Sequence, residues 1–129
     1  MRAFRRPRCW LVPWALMIAT VVVGSLLPSD ALPPSPFDQF DKLEHFLGYA
    51  ALSAYAVLLF ASRRAQVGAA IGLVALGIAL EIAQAVLTQS RSADVFDAAT
   101  DALGVLVGLS LAATPWARAL QRLDVRLAK

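Results

Sequence analysis

One cysteine, one histidine and little charge mark this chain by what it has little of. The lone Cys9 rules out an internal disulfide and a cysteine zinc site. Asp, Glu, Lys and Arg make up only 16% of the residues, and they leave long stretches uncharged. No internal repeat is visible, no spacing amounts to a specific metal motif, and no nucleophile motif occurs. What fills the sequence instead is apolar. Of the 129 residues, 59% are hydrophobic, against roughly 45–50% in an ordinary soluble domain. A single domain of this length cannot bury so much in its own core, so a lipid-facing surface is expected.

Four apolar stretches are long enough for a hydrocarbon core about 30 Å thick, which takes roughly 20 helical residues. They run from about 9 to 27, 43 to 61, 65 to 87 and 94 to 116. The first is uncharged. The second opens on Glu44 and His45. The third is interrupted by Gln66, Glu81 and Gln84. The fourth carries Asp94, Asp97 and Asp101 in its first two turns. Open sheet edges are excluded in lipid, so these stretches read as helices. The expected fold is all-α: a single polytopic domain, a four-transmembrane-helix bundle. The connections are short except for the proline-rich stretch between the first two helices, with Pro28, Pro33, Pro34 and Pro36.

The net charge of +3 matters less than where the charges sit. With the N-terminus cytoplasmic, Arg2, Arg5, Arg6, Arg8, Arg63, Arg64, Arg118, Arg122, Arg126 and Lys129 all fall on the cytoplasmic side. Only Lys42 and Arg91 fall outside. Every acidic residue except Asp124 lies toward the outer side. Trp10, Trp14 and Trp116 land at the inner interface, as an aromatic belt requires. Both termini are therefore expected in the cytoplasm, with the bilayer as partner and no nucleic acid. A rival reading makes residues 1–31 a cleaved signal peptide ending near Ser29-Asp30-Ala31, although the apolar stretch is long for one.

The tail, residues 117–129, reads as an amphipathic helix. Trp116, Leu120, Leu123 and Leu127 share one face, and Arg118, Arg122, Arg126 and Lys129 the other. It is expected to lie on the anionic cytoplasmic leaflet.

Ionisable groups inside membrane segments point to function by default. Asp41 and His45 are four apart on one helical face, and Tyr49 extends that stripe. Asp41 as an N-cap with Glu44 three residues on would explain both carboxylates structurally; it would not explain His45. Glu81 lies roughly 9 Å inside the third helix, at about 1.5 Å per residue, with Gln84 on a neighbouring part of the same face. Unpaired at that depth, a carboxylate costs several kcal/mol. Gluing helices together is its structural alternative. Asp94, Asp97 and Asp101 form one acidic stripe, with Arg91 as the natural counter-charge and Asp101 level with Glu81. Gly104 and Gly108 permit close helix packing.

Taken together, Asp41, His45, Glu81, Gln84, Arg91, Asp94, Asp97 and Asp101 are the candidate ligand-binding residues. Their negative excess invites a cation: a proton, a cationic ligand group or a divalent metal. Asp41, His45, Glu81 and Asp101 are the candidate metal ligands.

In series, these motifs give the chain its resemblance to VanZ-like membrane proteins, named for a glycopeptide (teicoplanin) resistance factor. The match runs through Ser25-Leu26-Leu27-Pro28, then Asp41-Lys42-Leu43-Glu44-His45-Phe46, then Glu81-x-x-Gln84. It ends on Arg91-x-x-Asp94-x-x-Asp97-x-x-x-Asp101-x-x-Gly104. One position departs: the family usually has Asn where this chain has Asp101. The resemblance implies a bacterial inner-membrane protein of the cell envelope.

Three functions are open at this point. The first is a non-catalytic envelope protein that binds a cationic or lipid-linked envelope precursor and lowers glycopeptide susceptibility. The second is a membrane enzyme using His45, Glu81 and Asp101 as acid, base or metal ligands on a lipid headgroup. The third is a proton-coupled transporter subunit relaying through Glu81, for which four helices would require a homo-oligomer.

Overall fold

The computed structural model describes residues 1–27, 36–37, 39–87 and 94–127. The described residues are helical, with no strand among them. Five α-helices follow in order: α1 (Pro7–Leu26), α2 (Phe40–Leu59), α3 (Arg63–Leu87), α4 (Val95–Ser110) and α5 (Ala119–Leu127). Ser29-Asp30-Ala31, Arg91 and Lys129 lie outside the described residues.

Three helical segments are long and apolar enough to cross a membrane: Pro7–Leu26, Arg63–Leu87 and Val95–Ala113, with mean hydropathies of 2.0, 2.1 and 1.6. On α1 only Ser25 is buried. A helix that is apolar all round yet uncovered by protein needs lipid around it. The fourth expected stretch forms α2, which has 20 residues and so spans about 30 Å. It is not among the apolar three. Asp41, Lys42, Glu44 and His45 crowd its first turns, and α1, α3 and α4 all pack against it.

That central position follows from composition. α2 buries Tyr49, Leu52, Ser53, Ala56, Val57 and Leu59. The core joins Tyr49 and Leu52 to Ala70 and Leu73 of α3 and Val105 of α4, with Trp14 of α1 against it. α2 and α4 meet backbone to backbone. A Cβ on Gly104 would strike the Phe46 carbonyl oxygen, and one on Gly108 the Ala50 carbonyl oxygen and, at 2.7 Å, the Ala54 nitrogen. The small-xxx-small expectation for these glycines holds. Ser53 Oγ then donates to the Val105 carbonyl at 2.8 Å, a bond only such close helices allow.

The fourth helix is shorter than expected. Regular α-helix stops at Ser110, and two 3-10 turns, Leu111–Ala113 and Pro115–Arg118, lead to α5. Pro115 has no N–H to donate, and its ring would clash with the carbonyl four residues back, so the helix cannot run through it. Thr114 goes extended there and caps the next turn, its hydroxyl accepting from Trp116 N at 3.3 Å.

The start of α2 also differs. Asp41 is not the N-cap; Gln39 is, in a left-handed conformation with φ 68°, and Asp41 sits in the first turn. Phe37 and Phe40 pack edge to face with centroids 5.3 Å apart. This aromatic contact starts the helix earlier than the polar pattern suggests. Asp41 still favours the positive end of the helix dipole.

Candidate functional site

At one end of the bundle, α2, α3 and α4 bring four carboxylates around one lysine and one histidine among the described residues. Lys42, in the first turn of α2, reaches across to α4. Its Nζ lies 2.8 Å from Asp94 Oδ2 and 2.6 Å from Asp97 Oδ1. Lys42, which the close α2–α4 approach puts in range, is thus a counter-charge to both aspartates, while the expected one, Arg91, lies outside the described residues.

One turn deeper, His45 Nδ1 meets Asp101 Oδ1 at 2.9 Å. Asp101 is only 2% exposed. It lies against Gly77 of α3, where a Cβ would come within 2.7 Å of Asp101 Oδ2. The bond to Asp101 fixes the imidazole plane and leaves Nε2 as the nitrogen free for a ligand. Glu81, 5% exposed, reaches the start of α4, where its Oε2 accepts from Asp94 N–H at 2.9 Å. Asp94 is the N-cap of α4, accepting from Phe96 N at 2.8 Å. Glu81 and Asp94 therefore close the N-terminus of α4 between them, satisfying donors that a helix start leaves open.

His45, Glu81 and Asp97 each offer a ligand atom, and the three atoms lie within 4.8 Å of one another. This set differs from the one expected. Asp97 takes a place that sequence reasoning assigned to Asp101, and Asp101 stands behind His45 as its hydrogen-bond partner. The i, i+3, i+7 stripe made these aspartates equivalent; the depth of His45 separates them.

Asp41 does not join that trio. With Glu44, His45, Gly48 and Tyr49 it lines a cavity of about 260 Å³ between α1 and α2. Asp41 thus opens on α1, whereas His45 and Tyr49, further along the same stripe, also reach α3 and α4. Gln84 also turns elsewhere: its Nε2 donates to the Ser25 carbonyl at 2.8 Å and ties α3 to the end of α1. Tyr49, 1% exposed, has a hydroxyl with no hydrogen-bond partner among the described residues. That hydroxyl lies beside Gly77, 3.3 Å from where a Cβ would stand, on the same side as Asp101.

Three polar residues at the other end escaped sequence reasoning. Asp124, the one acidic residue on the basic side, is 2% exposed. It accepts from the backbone N–H of Arg5 at 2.6 Å and of Arg6 at 3.3 Å, and from Trp10 Nε1 at 2.8 Å. It thereby caps α1 from α5. Arg2 closes the opposite polarity, the C-terminus of α2. Its backbone N–H donates to the Leu59 carbonyl at 2.7 Å, Nε to Leu58 at 3.1 Å and an Nη to Val57 at 3.2 Å. Gln66 Nε2 adds bonds to Phe60 O at 2.8 Å and Val57 O at 3.5 Å. Asp124 breaks the charge pattern and Gln66 interrupts an apolar run; those two irregularities were the available signals.

The tail is anchored accordingly. α5 docks on the bundle through Asp124, and Ala117 is buried in the turn before it, while Trp116, Leu123 and Leu127 are exposed and Leu120 is half-buried. Most of the apolar face of the amphipathic pattern is thus left outward.

Comparison of the chain with family models, with curated proteins and with solved structures finds no match.

Proposed function

We propose that the chain is a VanZ-like, multi-pass protein of the bacterial cytoplasmic membrane. It would have four spans and both termini inside, and its outer acidic site would bind a cationic group of a lipid-linked envelope component. The length of α2 supports the fourth span: about 30 Å, equal to α1, with its polar residues gathered at one end. The basic residues at the opposite ends of the helices support the orientation.

One observation carries the ligand reading. Glu81, Asp94, Asp97 and Asp101 gather around Lys42 and His45, and His45, Glu81 and Asp97 hold ligand atoms within 4.8 Å of one another. Helix glue would saturate its charges in pairs. Here, among the described residues, the carboxylates outnumber the cations, and a further cation relieves their repulsion. The adjoining α1–α2 cavity, with Asp41 and Glu44 at its mouth, is the entry for a headgroup from the outer leaflet.

The test compares retention of two lipids by the purified protein in detergent: phosphatidylethanolamine and its N-acetylated derivative. The amine lipid is expected to stay bound, and to be lost with Glu81→Gln plus Asp97→Asn. Equal retention of both lipids would refute the reading.

A metal-dependent site is the second reading, favoured by the Asp101–His45 bond. A carboxylate holding the imidazole of a metal ligand is a recurrent arrangement. Zn²⁺ accepts this mixed nitrogen and oxygen donor set. Elemental analysis decides between the two: a stoichiometric metal that disappears in His45→Ala would replace the amine reading. Lower glycopeptide susceptibility is the cellular consequence proposed on the resemblance, and a susceptibility assay with and without Glu81→Gln checks it.

A further inference from the structure

At the inner end, a cavity of about 400 Å³ opens between the α2–α3 turn and the turns that follow α4. Arg2, Arg63, Arg118 and Arg122 line it, together with Gln66. Arg63, Arg118 and Arg122 are exposed. Among the described residues no carboxylate pairs with any of the four arginines. The one buried acid nearby in the fold, Asp124, is already committed to the α1 N-terminus and Trp10. Burial, and then the like charge of Arg118, hold the Arg2 guanidinium below its ordinary value. The cavity therefore brings together positive charges that no carboxylate among the described residues neutralises.

A second observation is independent of charge. Gln66 is 4% exposed, and its Oε1 has no hydrogen-bond partner among the described residues. The orientation of this amide is fixed, because Nε2 must face the Phe60 and Val57 carbonyls at the end of α2. Oε1 is consequently an acceptor left over on a residue that lines the arginine-rich cavity. A buried carbonyl oxygen without a donor costs about 1–3 kcal/mol. The ligand that fits supplies an anion to the arginines and a hydroxyl donor to Gln66.

We propose that this cavity is a headgroup site for an anionic phospholipid whose phosphate carries a hydroxylated substituent, the chemistry of phosphatidylglycerol. The phosphate sits among the guanidinium groups, which bind it through charge-assisted, bidentate hydrogen bonds. The headgroup hydroxyl donates to Gln66 Oε1. Ala112, Pro115 and Ala117 give the glycerol backbone an apolar wall. The acyl chains leave along the exposed face of α4, where Leu103, Leu106 and Val107 lie open. The site rests on the membrane reading but not on the outer acidic site or on which side of the membrane each end faces.

The experiment uses the full chain in a neutral detergent and native mass spectrometry. The probes are phosphatidylglycerol, phosphatidylcholine and free glycerol 1-phosphate. Phosphatidylglycerol is expected to bind at least tenfold more tightly than phosphatidylcholine, with glycerol 1-phosphate undetectable at the same concentration. Arg118→Gln with Arg122→Gln, both exposed positions, should abolish the preference while the far-UV circular dichroism spectrum stays unchanged. Phosphatidic acid, which keeps the phosphate but lacks the hydroxyl, should fall between the two lipids. Equal binding of phosphatidylglycerol and phosphatidylcholine overturns the proposal. So does an undiminished preference in the double variant, or free ester binding as tightly as the lipid. Insertion into phosphatidylcholine vesicles that survives alkaline extraction is read separately. Its failure would instead count against the membrane reading.

Discussion

The same substitution, glycine to alanine, should change stability in opposite directions at two places in this bundle. Gly68 and Gly72 of α3 have nothing within 4 Å of an added Cβ. Alanine there reduces unfolded-state freedom and favours helix, a gain of about 0.5–1 kcal/mol. At Gly104 the added carbon meets the Phe46 carbonyl oxygen and, at 3.1 Å, the Ala50 nitrogen; at Gly108 it meets the Ala50 carbonyl oxygen and the Ala54 nitrogen. These neighbours are backbone of α2 and cannot swing aside. The helices must separate, and overpacking of this kind costs about 1–3 kcal/mol. Set against the same helix gain of about 0.5–1 kcal/mol, the net loss is about 0–2.5 kcal/mol, centred near 1 kcal/mol or a factor of roughly 5 in the folded ratio. The separation also stretches the Ser53–Val105 bond and the Lys42 and His45 contacts, all of which run between α2 and α4. Denaturant titration in micelles, followed by circular dichroism, should therefore rank Gly68→Ala above wild type and Gly104→Ala and Gly108→Ala below it. Gly104→Ala should in addition weaken retention of the amine lipid. If Gly104→Ala and Gly108→Ala were as stable as Gly68→Ala, the close α2–α4 contact would be wrong, and with it the geometry of the outer site.

Two further outcomes follow from single hydrogen-bonding groups. Asp101→Asn keeps an acceptor for His45 Nδ1 and should fold with a change within about 1.5 kcal/mol, whereas Asp101→Leu leaves that donor unpaired and should cost about 1–3 kcal/mol. Denaturation of the two variants side by side checks this; equal stabilities would show that the His45 contact carries no weight. Asp124 is held below its ordinary value of 3.8 first by the Trp10 hydrogen bond and then by the Arg5 and Arg6 N–H groups. A carboxylate so depressed contributes stability that is whole above the ordinary value and is lost as pH falls through the lowered one. The α5–α1 junction should thus loosen only below about pH 3.8, seen as an acid shift in tryptophan emission. Asp124→Asn should flatten that shift, and an unchanged acid transition in the variant would rule out this cap as its cause.

The helical stretches were legible because each rests on a one-dimensional signal, apolar length. Their ends were less so. The start of α2 is set by the Phe37–Phe40 ring contact, and the end of α4 by Pro115. The first depends on chain reversal and the second on a stop whose exact place the composition blurs. The candidate site was legible as a set of residues and not as an arrangement. Asp94, Asp97 and Asp101 share a stripe, and only the depth of Lys42 and His45 on α2 divides them into a pair bound by the lysine and a partner behind the histidine. That register is fixed by Gly104 and Gly108 against the α2 backbone, a tertiary fact. Gln84 looked like Glu81 in sequence, yet it bonds Ser25 on α1, because three residues along a helix turn a side chain toward a different neighbour.

The polar groups of this bundle divide by whether their partners suffice. Ser53, Trp14, Tyr55 and Gln84 each donate to one backbone carbonyl of a neighbouring helix, within 3.1 Å in every case. Such bonds are saturated and hold helices at fixed spacing. The carbonyls at the end of α2 are likewise met in full by Phe60, Arg2 and Gln66. Against that background two places stand out. Among the described residues, the acidic end leaves four carboxylates to one lysine and one histidine. The basic end leaves four arginines without a carboxylate and one buried amide oxygen without a donor. If stability alone had shaped the chain, exchanging one charge at each end would have relieved both excesses. Charge that a fold gathers at a cost, and leaves unbalanced where most of its other polar groups are matched, is charge held for a ligand, and the opposite signs at the two ends call for two different ones.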